Sequence, residues 1–315
     1  MAEDARVVKL DAKLFQEPLA RLAETMVQKV FREGSAHLGA PPFVGEDMAV
    51  IIRHALSTYD LLCYLNADER RIEDCDWRPA YGVCAMPLVR SLIDCFFNVT
   101  LILQSPAKNG FWYRQSGLKK VLKGLDDDSE RYRGDADSEA YIVECRSAVD
   151  LSFMRPFKLT IEEILGSPDW PTLGRYLSQK QKGATLNEHQ TLLQTFTYRA
   201  WRQYSALSHG GMEGFIDFLG HFPVGMYYMT DFLPKKLRPQ IDNSYVFLIS
   251  AHIARAATVL LAMITELQAY CRFDGANIDQ RVAQLWIVLL PILEAKELYD
   301  GRYAQLMKDS RMVAA

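Results

Sequence analysis

The sequence lacks the motifs that mark several large enzyme classes. No two of its six cysteines stand at the C-x-x-C spacing, and neither H-E-x-x-H nor E-x-x-H is present. The chain therefore carries no signal for a metal centre. A Walker sequence, a G-x-G-x-x-G fingerprint and a G-x-S-x-G elbow are also missing. We predict no metal and no cofactor, because nothing indicates a P-loop NTPase, a dinucleotide-dependent oxidoreductase or an α/β-hydrolase.

A strong charge of either sign is missing as well. The net charge of -3 gives no whole-protein attraction to nucleic acid or acidic membranes. It is still compatible with a local basic patch, because net charge averages over all faces. The first residues, MAEDARVVKLDAK, contain no apolar signal-peptide core, and the most apolar stretch, 245–271, is interrupted by His252, Arg255 and Glu266. We therefore predict a soluble, cytoplasmic protein that does not span a membrane.

Alternating strand patterns and internal repeats are nearly absent, and helical periodicity dominates. We predict loops at residues 39–45 (GAPPFVG), a loop or solvated helix start at 126–137, and a kink at Pro291. The fold class that follows is an all-α multi-helix bundle in a single domain, 1–315. The predicted helices cover residues 12–31, 46–65, 79–103, 110–125, 138–153, 172–181, 187–208, 243–271 and 278–299.

One polar row interrupts the apolar helix predicted at residues 79–103. Arg90, Asp94 and Asn98 stand four residues apart, which places them along one face of the helix. Buried charges are costly unless they are paired, and Arg90 can pair with Asp94. The row is either a structural clamp to its neighbours or part of a site, since both arrangements use paired buried charges.

A second row lies on the helix that ends in YRAWRQYSALSHGG. Tyr198, Arg202, Ser205 and His209 fall within about 60° of one another on a regular helix, with Trp201 beside them. A histidine before two glycines also fits an ordinary helix end. The row is therefore a solvent face or the wall of a groove. The opposite face, predicted to point to the core, carries Leu193, Phe196, Ala200, Tyr204 and Leu207.

The two rows together resemble a group of uncharacterised bacterial helical proteins. In that group an R-S-L-x-E/D helix precedes an S-x-x-x-H helix, and this chain has L-V-R-S-L-I-D at residues 88–94 and S-x-x-x-H from Ser205 to His209. The group is similar to the HEPN superfamily, whose members are helical bundles that are often dimeric. The resemblance implies a HEPN-like core at about residues 46–215, with additional N-terminal helices and C-terminal helices at 243–299.

Active HEPN ribonucleases carry an arginine followed after four to six residues by a histidine. Arg202 and His209 fit that spacing. The resemblance implies metal-independent RNA cleavage of a toxin or phage-defence kind, with His209 as general acid or base and Arg202 on the phosphate. Arg90, Asp94, Asn98, Tyr198 and Ser205 would shape this site. Seven positions on a helix span about 10.5 Å, so both side chains contact one phosphate only if the arginine reaches across or a dimer brings in a second copy.

Two alternatives fit the same sequence. The chain can be a non-catalytic helical binding or scaffold protein, which acts as a homo-oligomer or as a subunit with a partner protein. It can also be a small-molecule enzyme whose aromatic segment at residues 215–232, with Tyr227, Tyr228 and Phe232, closes a pocket. RNA is the ligand that the resemblance favours.

Overall fold

The fold is all-α, as predicted. The computed structural model describes residues 14–67, 71–72, 75–76, 78–180, 188–198, 201–202, 204–205, 238–275 and 277–309. Within these ranges the only strands are a two-residue antiparallel pair, Arg71–Ile72 with Cys75–Asp76. All other regular structure in them is helical.

Where the structure describes the chain between them, consecutive helices have short connections. In the described part of the chain four π-helical turns join or extend the helices: Val30–Gly34, Asp150–Met154, Leu193–Thr197 and Tyr299–Tyr303. In chain order the helices are α1 (Gln16–Lys29), α2 (Ser35–Leu38), α3 (Pro42–Ala67), α4 (Arg78–Leu103), α5 (Pro106–Arg131), α6 (Ala136–Val149), α7 (Arg155–Phe157), α8 (Ile161–Gly166), α9 (Leu173–Lys180), α10 (Glu188–Leu192), α11 (Arg238–Cys271), α12 (Ile278–Leu289), α13 (Leu293–Leu298) and α14 (Ala304–Asp309).

Helices α4 and α11 form the centre of the bundle and pack mainly against each other. Helix α3 lies against both, and α1 covers α3 and α11. Segments of α4 (Ala85–Leu103) and α11 (Ser250–Cys271) are long and apolar enough to span a membrane, but 67% and 78% of these windows are buried inside the fold. Helices that are apolar on all sides are expected at the centre of a large core.

Three boundary predictions are wrong. Residues 42–45, predicted as loop, begin α3, because Pro42 suits the first turn of a helix, where its missing N–H costs nothing. Helix α5 continues through the acidic run to Arg131 instead of ending near residue 125. Its last turn is charged and solvent-exposed, so no apolar period marks it. At Pro291 the chain does not kink within one helix; α12 ends at Leu289 and α13 begins at Leu293.

Glycines on α5 give a test of how closely this helix approaches α3. A Cβ added at Gly110 would lie 2.7 Å from both γ-carbons of the buried Val44, whereas one added at Gly117 would meet nothing within 4 Å. Gly110→Ala is expected to destabilise the protein by about 1–3 kcal/mol through overpacking. Gly117→Ala should instead stabilise it by up to about 1 kcal/mol, because alanine favours the helix. Urea unfolding measures both, and equal midpoints for the two variants would contradict the close packing of α3 and α5.

Candidate functional site

The first polar row lies on α4 as predicted, and its members meet two tryptophans from distant parts of the chain. Arg90, Asp94 and Asn98 are one helical turn apart, about 6 Å per step. Asp94 accepts a hydrogen bond from Trp201, and Asn98 accepts one from Trp170. The row is therefore divided between two groups of side chains.

The first group, which we call the Trp201 cluster, contains Arg90, Asp94, Tyr198 and Trp201. Trp201 Nε1 donates to Asp94 Oδ1 at 2.8 Å, and Arg90 Nε lies 3.8 Å from Asp94 Oδ2. The Arg90 guanidinium also lies over the Trp201 ring, 5.4 Å from its centroid. The predicted pairing of Arg90 with Asp94 is confirmed, and the indole completes a compact polar contact between α4 and the second row.

Two further contacts fix the position of the Trp201 ring. Tyr198 stacks beside it with the ring planes 15° apart and the centroids 6.3 Å apart. On α9, a Cβ added at Gly174 would lie only 3.0 Å from the Trp201 ring, so only a glycine allows this approach without displacing the indole. Both rings stay half-buried. The result is a pair of nearly parallel aromatic rings that is partly open to solvent, with the Trp201 indole N–H bound by Asp94.

Burial raises the pKa of Asp94 above its usual range, while the Trp201 N–H and the Arg90 charge act in the opposite direction. Desolvation disfavours the charged carboxylate, and the Trp201 hydrogen bond and the nearby Arg90 charge offset part of that cost. The carboxylate accepts the Trp201 N–H and thereby orients the indole.

The described residues of the second row differ in their exposure to solvent. Arg202 is exposed, as a solvent or groove position requires. Ser205 places its Oγ out of contact with solvent, with no hydrogen-bond partner within the part of the chain that the structure describes. Leu193 and Tyr204 are buried, which confirms their assignment to the core face. His209 lies outside the described residues, as do residues 206–237, so its relation to Arg202 stays a prediction.

The second group surrounds Asn98. Trp170 Nε1 donates to Asn98 Oδ1 at 2.8 Å, and the Trp170 backbone N–H donates to Ser116 Oγ at 2.7 Å. The rings of Trp112 and Tyr113 contact the Trp170 ring edge-on, at centroid distances of 4.9 and 5.1 Å. Asn98, Tyr113, Ser116 and Trp170 border an open cleft of about 440 Å³.

Sequence reasoning missed this second group. Trp170 stands in GSPDWP, where the proline and glycine signals indicate a turn and nothing indicates a partner for the indole. The α5 aromatics Trp112 and Tyr113 are ordinary amphipathic helix positions when taken alone. The sequence shows Trp201 as a large ring beside the second row, but it does not reveal the hydrogen bond to Asp94, which depends on tertiary packing.

Neither metal-ligand geometry nor similarity to known proteins assigns a function to these two groups of side chains. Among the residues that the structure describes, no three His, Cys, Asp or Glu side chains are grouped to hold a metal ion. Comparisons with protein-family models, with curated proteins and with solved structures found no match. The HEPN-like relationship and its implied core therefore stay predictions.

Proposed function

We propose that the protein binds single-stranded RNA on the Trp201 cluster, with Arg202 as the neighbouring phosphate contact. The observation that carries the proposal is the half-buried, nearly parallel pair of Tyr198 and Trp201 rings, adjacent in the chain to an exposed arginine. Proteins that bind single strands combine aromatic platforms for the bases with cations for the backbone. Stacking on such a platform contributes about 1–3 kcal/mol per base.

The cluster is also preorganised for this role. Asp94 fixes the indole through its N–H, and the Arg90 guanidinium covers part of the ring. A ring that is already held in one orientation loses little conformational entropy on binding. Because the whole chain carries a net charge of -3, the affinity has to come from this local arrangement, with few phosphate contacts and a shallow salt dependence.

A single arginine substitution tests the binding proposal. Arg202→Ala is expected to weaken binding of a fluorescein-labelled mixed-sequence RNA several-fold, measured by anisotropy, and to reduce the slope of log K against log salt by about 1. Arg32→Ala removes an exposed arginine from the π turn after α1 and is the matched control. Equal affinity of the Arg202→Ala variant and the wild type would reject the site.

RNA cleavage is the second candidate, favoured by the exposed position of Arg202 next to the aromatic pair. Cleavage without metal would use Arg202 on the phosphate and His209 as general acid or base. RNA incubated with the protein in excess EDTA should then be cut, and His209→Ala should lower the rate by about 10²–10⁴-fold. Binding without cleavage by the wild type would leave a non-catalytic RNA-binding protein. Neither binding nor cleavage by the folded protein would favour the alternative of a dimeric scaffold or complex subunit.

A further inference from the structure

A second site lies one helical turn from the Trp201 cluster, in the open cleft between α4, α5 and the turn before α9. We call it the Trp170 cleft, and its volume is about 440 Å³. Pockets for small molecules typically occupy about 300–1,000 Å³. The residues that matter for its chemistry are Asp47, Asn98, Tyr113, Arg114, Lys120 and Trp170.

The aromatic wall of the cleft is rigid. Trp170 is fixed at its indole N–H by Asn98 and at its backbone N–H by Ser116. The Tyr113 ring meets it at 81°, so the two rings form a corner. A planar ligand ring placed in this corner can stack on one aromatic side chain while its edge contacts the other, which is a favourable arrangement for aromatic groups.

Polar groups in the cleft match the edge of a heteroaromatic ring. Asn98 uses its carbonyl oxygen for Trp170, so its Nδ2 group is the donor left for a ligand. Arg114 donates to both Asp47 oxygens, at 2.8 and 2.7 Å, and its guanidinium lies over the Phe43 ring, 5.1 Å from the centroid. This fixed pair presents a carboxylate acceptor beside guanidinium donors. Nucleobase edges carry donors and acceptors side by side, so they complement such a pair.

The positive charge lies on the α5 side of the cleft. Lys120 borders the cleft and is exposed, while Lys119 pairs with Asp169 at 2.8 Å and donates to the Ser167 carbonyl. The Lys119 ammonium, together with the charges of Lys123 and Lys120, holds the pKa of Asp169 below its usual range. Lys119 is paired with Asp169, whereas Lys120 borders the cleft and is exposed, so Lys120 favours an anionic group on the ligand.

We propose that the Trp170 cleft binds a nucleoside monophosphate, with the base against Trp170 and Tyr113 and the phosphate near Lys120. This inference does not depend on RNA binding at the Trp201 cluster. A purely apolar ligand would bury the Asn98 amide and the Asp47–Arg114 pair without new hydrogen bonds, which is unfavourable. The phosphate side has one cation that borders the cleft, which suits one phosphate better than a triphosphate.

A substitution that fills the cleft gives the sharpest test, because α5 carries two glycines at which an added Cβ meets no neighbouring atom. A Cβ at Gly117, which borders the cleft, or at Gly124, which does not, meets no atom within 4 Å. Gly117→Leu should place its side chain in the cleft without disturbing packing, and Gly124→Leu is the matched control on the same helix. Calorimetric titration with AMP, GMP, CMP and UMP should show binding of at least one to the wild type. Gly117→Leu should weaken that binding by about tenfold or more, and Gly124→Leu should leave it unchanged.

The role of the phosphate is tested with a second matched pair. Lys120→Gln should weaken binding of the monophosphate several-fold, whereas Lys123→Gln, one turn further along the exposed face of α5, should have little effect. Adenosine or the corresponding nucleoside should bind the wild type more weakly than its monophosphate, and inorganic phosphate alone more weakly still.

Two results would overturn the inference. One is a folded wild type that binds none of the four monophosphates, and the other is a Gly117→Leu variant that binds them as the wild type does. The second result would place a bound mononucleotide elsewhere, for example on the Trp201 rings. Arg202→Ala should weaken RNA binding and leave mononucleotide binding intact, so failure of either proposal is visible without the other.

Discussion

Replacement of Arg302 by alanine is expected to lower the free energy of unfolding by about 3–5 kcal/mol. Arg302 lies in the π turn Tyr299–Tyr303 and forms a two-pronged ion pair with Glu266 of α11, with Nη2 2.8 Å from Oε2 and Nε donating to Oε1. The side chains are only 13% and 4% exposed. Removing the arginine leaves the Glu266 carboxylate buried without its counter-charge, and this desolvated charge is the source of the large effect.

The double replacement distinguishes this cause from a simple loss of packing. A variant with both Glu266→Met and Arg302→Met should be closer to the wild type than either single variant, because no unpaired charge remains in the core. Glu188→Ala removes the other carboxylate that Arg302 contacts, at 3.1 Å, but that side chain is 86% exposed, so stability should hardly change. Urea unfolding followed by circular dichroism gives the comparison. An Arg302→Ala variant as stable as Glu188→Ala would contradict the argument.

The ion pair also connects the C-terminal helices with the candidate site. Arg302 contacts Glu188, the first residue of α10, and α10 leads through the π turn Leu193–Thr197 towards Tyr198 and Trp201. Loosening the pair is therefore expected to affect the region that presents the aromatic rings as well as the core.

Local geometry explains what could be predicted from the sequence. The row on α4 follows from a spacing of four on a helix, and the Arg90–Asp94 pair forms within that row. Their tertiary partners could not be predicted in the same way. Trp201 is 107 residues from Asp94, and Trp170 is 72 residues from Asn98. Periodicity gives the face of a helix but not which distant side chain covers that face.

The second row shows a different limit. Its prediction assumed 100° per residue, but the chain forms a π turn at Leu193–Thr197. A π turn holds more residues than an α-helical turn, so it shifts the phase of the later positions relative to Leu193, while the four residues of the row all follow it and their mutual phase is not changed by it. Thr197 is buried, while Tyr198 and Trp201 are half-buried and Arg202 is exposed. No residue type in this segment signals the extra residue in the turn.

Acid is expected to destabilise the protein through His252 on α11. This side chain is 3% exposed, and its Nδ1 lies 3.2 Å from the Tyr204 hydroxyl, which also accepts from Arg255. Burial, with a smaller contribution from the Arg255 charge, lowers the pKa of His252 to about 3 from an ordinary value of 6.5. The folded protein therefore keeps the imidazole neutral at a pH where the unfolded chain takes up a proton.

The sign of the effect follows from that difference. The contribution to stability is complete above about pH 6.5 and is lost as the pH falls towards 3, at about 1.4 kcal/mol per pH unit. Between pH 6.5 and 4.5 the loss from this group is about 2–3 kcal/mol. His252→Leu should remove this component, so its free energy of unfolding should fall less steeply over the same range, whatever its value at neutral pH. Tyr204→Phe retains the imidazole and should keep the steep slope.

The comparison of slopes is decisive because other titrating groups contribute equally to all three proteins. Identical slopes for the wild type and His252→Leu would show that the imidazole is not kept neutral by burial.

Tyr204 belongs to the same segment as Trp201 and Arg202, and its hydroxyl contacts both His252 and Arg255 of α11. Protonation of His252 would place a second positive charge beside Arg255 and disfavour this contact. RNA binding at the Trp201 cluster should therefore weaken over the same acidic range in the wild type, and less so in His252→Leu.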